Sequence, residues 1–156
     1  MSSQASLTNQ RLDVARRFLE MPMEHAWMGV AYENAAFFHI QSAFIGLLQE
    51  VKQEYGLTCE AVLIDLLEAA STNKLNPPVL VELKELRTKQ ESWLNGLQAN
   101  YEAALFCDAN LIINKSLINK NDNLISSAMD NTDVSLSYLD ALTDLILRFR
   151  EESIEY

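Results

Sequence analysis

The residues with the most chemical potential are two histidines and two cysteines, and their surroundings match no known catalytic pattern. Neither His25 nor His39 has a neighbour that marks a catalytic triad, and no GxSxG elbow occurs. Cys59 and Cys107 stand alone, without the CxxC or Cys/His spacing of a zinc site. We therefore predict no catalytic nucleophile, and we interpret both cysteines as small buried apolar residues.

Cofactor sites are equally hard to find in the sequence. Glu33 and His39 lie six positions apart, whereas di-metal helical bundles use Glu-x-x-His pairs. Ribonuclease-type bundles carry Arg and His closer together than Arg17 and His25, which Pro22 also separates. The four glycines are scattered singly, so no phosphate-binding loop is formed. We expect no metal and no cofactor.

The most unusual polar group lies inside the apolar run from Ala26 to Leu48. Burying polar side chains costs free energy unless partners satisfy them. The favoured interpretation is that they hydrogen-bond to neighbouring helices, His39 included. The alternative is a polar pocket for a small ligand, to which Arg148 contributes. Arg148 and Arg150 alternate faces near a helix C-terminus, and one of the two is expected to point inward to an acid such as Glu33. The candidate pocket residues are Glu33, Asn34, His39, Gln41 and Arg148, with Ser42 beside them.

The same run predicts the architecture. A helix that is apolar on nearly every side has to be surrounded by other helices, which indicates a central second helix in an all-α fold. Its polar residues and the absence of basic flanks argue against a membrane span. The polar N-terminal sequence lacks the apolar core of a signal peptide. We expect a soluble, cytoplasmic protein.

Composition supports this fold class and limits the partners. The chain has 156 residues, 49% of them hydrophobic, with only four glycines and three prolines. These values favour one bundle-like domain of about five or six long helices. The net charge of −10 disfavours binding to nucleic acid, because phosphate backbones are repelled.

The helices can be placed by apolar period and punctuation. Thr88 and Glu91 have the spacing of a capping box, which predicts a break there. Residues 108–134 are rich in Asn and are interpreted as an irregular excursion. Phe38, Ile45 and Leu48 are expected to be buried on one face of the second helix. The predicted helices run from about Thr8 to Met21, from Glu24 to Tyr55, from Thr58 onward, from Asn76 onward, from Lys89 to Phe106, and from near Ser135 or Ser137 onward.

Four segments carry a resemblance to a known family. They are TNQRLDVARRFLE, ENAAFFHIQSAFIGLLQEV, ESWLNGLQANY and LILRFREE. The chain resembles an uncharacterised all-helical family of gammaproteobacteria, a domain of unknown function of about this length. The resemblance covers most of the chain except the Asn-rich excursion. It implies an all-helical fold and no particular activity. In the relatives a proline precedes the ESWL segment, where this chain has Gln90, which weakens the proposed break.

Three functional hypotheses remain open at this point. The first is a non-enzymatic interaction protein that binds a protein partner or itself, as a homodimer anchored by Trp27, with Trp93 as a second interface candidate. The second is a small-molecule-binding or hydrolytic enzyme that uses the polar pocket. The third is an acidic decoy of nucleic acid. The abundance of apolar helix faces without a catalytic constellation favours the first.

Overall fold

The computed structural model describes residues 3–107 and 124–154, and in the last helix it describes side chains from Val134 onward. Within these residues the chain forms six α-helices and no strand, so the predicted all-α class is confirmed. None of these helices is long and apolar enough to cross a membrane. The helices are α1 (Gln4–Glu20), α2 (Ala26–Glu54), α3 (Leu63–Thr72), α4 (Pro78–Thr88), α5 (Trp93–Phe106) and α6 (Leu124–Ile154).

Helix α2 lies at the centre of the bundle, as the sequence predicts. It packs against α1, α3, α5 and α6. It ends before Gly56, whose positive φ of 60° suits a residue without a side chain. Its fully or almost fully buried residues supply much of the core, namely Ala36, Phe37, Ile40, Ala43, Phe44, Leu47, Leu48 and Val51.

The close contact between α1 and α2 depends on Gly46, which has no side chain. Thr8 of α1 is 1% exposed, and a Cβ built on Gly46 would lie 2.5 Å from its hydroxyl oxygen. The Thr8 hydroxyl donates to the carbonyl of Gln4, so it is satisfied within its own helix. Glycine at this position therefore lets the two backbones approach closely.

One expectation for α2 is wrong. Leu48 is buried, but Phe38 is 52% exposed and Ile45 is 44% exposed. Successive residues of a helix turn by about 100°, so Phe38 cannot share the buried face of its neighbour Phe37. Because the run is apolar all round, the sequence does not show which of the two phenylalanines faces the core.

The starts of two early helices also differ from expectation. Helix α1 begins at Gln4 because the Ser3 side chain accepts a hydrogen bond from the backbone N–H of Ser6. Helix α3 begins at Leu63 and not at Thr58. The connector before it, residues 57–62, is not helical. It begins with Leu57, which is buried in the core at 3% exposure.

The predicted break between α4 and α5 is confirmed, although a different residue caps α5. Helix α4 ends at Thr88 and α5 starts at Trp93, with Ser92 as its cap. The Ser92 hydroxyl oxygen accepts from the N–H of Asn95. The Asn95 amide in turn donates to the carbonyls of Leu86, Arg87 and Lys89, which fixes the turn.

Helix α6 begins at Leu124, well before the predicted start at Ser135 or Ser137. Of the six asparagines between positions 108 and 134, only Asn131 falls within the helix, so the helix-disfavouring residues are concentrated before it. The rest of the predicted excursion, residues 108–123, lies outside the described residues. Farther along α6, Leu142, Leu145, Ile146 and Phe149 are buried in the core.

The adjacent phenylalanines of α2 give a matched test of this packing. Phe37 is 2% exposed, so Phe37→Ala should lower the free energy of unfolding by about 3–5 kcal/mol through lost burial and a cavity. Phe38→Ala should lower it by about 1 kcal/mol or less. Urea unfolding followed by circular dichroism at about 1 µM protein, where association contributes little, measures both. Equal losses in the two variants would contradict the observed orientation of α2.

Candidate functional site

The polar residues predicted to share a pocket are distributed around α2. Asn34 is exposed to solvent, whereas His39 and Gln41 are half-buried and have partners on different helices. His39 contacts Arg11 of α1, and the Gln41 side-chain oxygen accepts from the amide of Gln98 on α5 at 2.6 Å. Glu33 is half-buried and also has an interaction partner. The hydrogen bonds of His39 and Gln41 fit the interpretation in which polar residues fasten neighbouring helices.

His39 lies in a cage of one cation and two aromatic rings. Its Nδ1 is 3.3 Å from a guanidinium nitrogen of Arg11, and because guanidinium only donates, Nδ1 acts as the acceptor. The ring of Phe18 stacks on the imidazole with centroids 5.7 Å apart, and Phe38 meets it edge-on at 5.2 Å. Burial, followed by the Arg11 charge, lowers the pKa of His39 below its ordinary value of 6.5. These contacts favour a neutral, structural histidine.

Arg148 pairs with Glu82 and not with Glu33. Its two terminal nitrogens donate to the two carboxylate oxygens of Glu82 on α4, at 2.7 and 2.8 Å. These hydrogen bonds are the main reason why the pKa of Glu82 is lowered. Partial burial of Glu82 acts in the opposite direction and raises its pKa. The residue therefore links α6 to α4 and is removed from any pocket near Glu33.

Arg150 is the arginine of α6 that points inward to an acid, although that acid is Glu50 and not Glu33. Arg150 donates two hydrogen bonds of 2.9 Å to the carboxylate of Glu50, which is 9% exposed. It also donates to the side chain of Asn9 at 2.8 Å and to the carbonyl of Ala5. One guanidinium thus joins α6 to α2 and α1. The signal in the sequence was Glu50 itself, a carboxylate at the spacing of the buried residues Ala43 and Leu47.

A metal centre has no support in the described part of the molecule. Among the residues whose side chains the structure describes, no three His, Cys, Asp or Glu residues stand close enough together to hold an ion. The surface features that remain as candidates are apolar.

The first of these features is the outward face of α2, which we call the α2 stripe. Trp27 is 67% exposed, and Val30, on the same side of the helix, is 62% exposed. Trp93, the other predicted interface residue, is half-buried against the core and is less available to a partner. The α2 stripe consists of Trp27, Ala31, Asn34, Phe38, Gln41 and Ile45, which follow one another at alternating intervals of four and three residues.

The second feature begins where the stripe ends. A groove of about 580 Å³ lies between α2, α3, α4 and α5, and we call it the α2–α4 groove. Ile45, Val62 and Ile64 leave 44%, 49% and 67% of their surface exposed along it. The charged residues that line it are Lys84 and Arg87, both basic. The other lining residues are Gln41, Phe44, Leu48, Ala61, Leu63, Leu67, Thr88 and Gln98.

The whole chain, residues 1–156, matches a family of unknown function (DUF6586), and the protein belongs to that family. The resemblance to an uncharacterised helical family is thereby confirmed. No curated protein and no solved structure matches the chain significantly. The functional argument therefore rests on the surfaces of this molecule.

The two arginines of α6 provide a second matched test. Arg150→Met leaves the nearly buried Glu50 without its cation, and we expect the free energy of unfolding to fall by about 2–4 kcal/mol. Arg148→Met breaks a pair whose side chains are 53% and 36% exposed, so the loss should be about 1 kcal/mol or less. Urea midpoints of the two variants measure the difference. A smaller loss for Arg150→Met than for Arg148→Met would disprove the ranking.

The lowered pKa of His39 predicts a dependence of stability on pH. The unfolded chain binds a proton near pH 6.5, while folded His39 binds it only at lower pH, so stability should fall as pH drops below about 6.5. The variant His39→Gln should show a shallower fall between about pH 6.5 and 5, measured by urea midpoints. In the wild type, NMR titration should give a His39 pKa below 6.5, which rises only partly in Arg11→Met because burial remains. A value at or above 6.5 in the wild type would contradict the described surroundings.

Proposed function

We propose that the protein is a non-enzymatic interaction protein that forms a homodimer through the α2 stripe. The observation that carries this proposal is the row of exposed apolar residues on the central helix, with Trp27, Phe38 and Ile45 on one side of it. Alternating intervals of four and three residues are the spacing by which one helix packs along another. A large exposed apolar face of this kind is typical of an interaction site.

Charge favours a second copy as the partner at this face. The net charge of −10 makes copies of the chain repel one another over most of their surface. The six residues of the stripe include no acid and no base, so two copies can approach there without placing like charges in contact. Contact through the same uncharged patch on both copies is the arrangement that two-fold symmetry requires.

Asn34 gives the stripe a self-complementary centre. An asparagine amide both donates and accepts, so two copies of Asn34 can hydrogen-bond to each other across a two-fold axis. In an antiparallel pair centred there, Val30 of each copy lies opposite Phe38, and Trp27 lies opposite Gln41, since each pair is equidistant from Asn34 along the helix. A polar residue at the centre of a mainly apolar seam is a known device for fixing register.

The described polar residues fit a structural role, and the two cysteines fit a reducing compartment. His39 and Gln41 are engaged with α1 and α5, and Arg148 with α4, so each already fastens one helix to another. Cys59 is half-buried, whereas Cys107 is exposed, so the expectation that both cysteines are buried is wrong for Cys107. Both are free thiols, which agrees with the cytoplasm as the place of action.

The dimer is tested by placing a charge in the middle of the stripe. At tens of micromolar, light scattering should give the wild type a mass of twice 17.7 kDa. Phe38→Glu should give a single-chain mass because two carboxylates would be buried near the two-fold axis. Leu147→Glu is the matched control, since Leu147 is 50% exposed on α6, away from the stripe, and should leave the dimer intact. Circular dichroism confirms that both variants are folded.

Two results would refute the dimer. One is a wild-type mass of 17.7 kDa at every concentration up to about 100 µM, a range that covers weak association. The other is a dimer that persists in Phe38→Glu, which would assign the interface to another surface.

A further inference from the structure

The α2–α4 groove has the form of a docking site that adjoins the proposed dimer surface and shares Gln41 and Ile45 with it. Phe44 and Leu48 form a buried apolar floor, 6% and 2% exposed. Val62 and Ile64 stand beside it at the start of α3 with about half or more of their surface in solvent. A groove with an apolar floor and apolar residues along its edge can bind the apolar face of another helix.

The charges of the groove indicate the chemistry of its occupant. The chain carries 22 acidic residues against 12 basic ones, yet no acid lines this groove. Lys84 and Arg87 lie three positions apart on α4, a spacing that places them on the same side of the helix. Because charges are screened beyond about 8–10 Å at physiological salt, these two cations outweigh the overall negative charge for a partner in contact with them.

The two cations differ in how they are held. A terminal nitrogen of Arg87 donates to the side-chain oxygen of Asn95 at 2.8 Å, which orients the guanidinium and leaves further N–H groups to donate. The Lys84 ammonium makes no hydrogen bond or ion pair with any residue that the structure describes. The oriented guanidinium of Arg87 and the ammonium of Lys84, which has no carboxylate partner, are therefore suited to bind carboxylates of another molecule.

From this arrangement we propose that the α2–α4 groove binds an amphipathic helix of another protein, with acidic residues flanking its apolar face. The apolar residues of that helix pack on Phe44, Ile45 and Ile64. Its Asp or Glu side chains pair with Lys84 and Arg87. The site differs from the α2 stripe in that most of its lining belongs to α3, α4 and α5, although Gln41 and Ile45 border both.

The test is a selection from displayed peptides, performed on Phe38→Glu as well as on the wild type. The library consists of helices of about 18 residues with apolar residues at i, i+3, i+4 and i+7 and randomised flanking positions. We expect the recovered peptides to be enriched in Asp and Glu at the flanks. The best peptide is then synthesised, and its dissociation constant is measured by fluorescence anisotropy.

Groove variants identify where that peptide binds. Lys84→Glu and Ile64→Ser should each weaken binding by about tenfold or more, because one adds charge repulsion and the other removes an apolar contact. Lys74→Glu makes the same charge change in the loop after α3, outside the groove, and should leave the affinity within about twofold of the wild type. The peptide should bind Phe38→Glu at least as tightly as the wild type, because a wild-type dimer would cover the shared residues Gln41 and Ile45. Failure of the dimer therefore does not remove this binding.

Several outcomes would overturn the proposal. They are the recovery of no binding peptide, recovery of peptides without acidic enrichment, and binding that is unchanged in Ile64→Ser. A loss of the dimer mass in Ile64→Ser or Lys84→Glu would assign the groove to a second copy. Saturation of the groove by a small apolar dye that the peptide cannot displace would assign it to a small molecule.

Discussion

The burial of α2 is the constraint from which the rest of the arrangement follows. This helix is apolar on nearly all sides, so it is stable in water only when other helices remove most of its surface from solvent. Helix α1 packs on it at close range at Gly46, and α3, α5 and α6 cover other parts of its surface. The α2 stripe and the groove between α2, α3, α4 and α5 remain open to solvent.

Apolar contacts place the helices, and polar contacts at their edges fix how far each slides along the next. Hydrophobic burial is non-directional, whereas a hydrogen bond is lost when its partners move by more than about 1 Å. Arg150 holds α6 to α2 and α1 at one level, and Arg148 holds it to α4. Gln41 and Gln98 set α5 against α2. The few polar residues inside apolar segments therefore act as markers of register.

The sequence predicted those features that depend on local pattern. The central place of α2 and the break between α4 and α5 follow from apolar period and helix punctuation. The orientation of Phe37 and Phe38 could not be predicted, because both sides of α2 are equally apolar in the sequence. The partners of Arg148 and Arg150 could not be predicted either, since each is more than sixty positions away and depends on how the helices assemble.

Helix α3 introduces a difference in local stability next to the groove. It has ten residues, the fewest of the described helices, and it packs mainly against α4 and α2. Helices below about 12–15 residues are marginal by themselves, so α3 depends on these contacts and should exchange its amide hydrogens before α2 or α6 does. Ile64 in its first turn and Val62, the residue just before the helix, lie at the edge of the groove. Because α3 can open while the core stays folded, the width of the α2–α4 groove is adjustable. The groove can therefore accept side chains of different size.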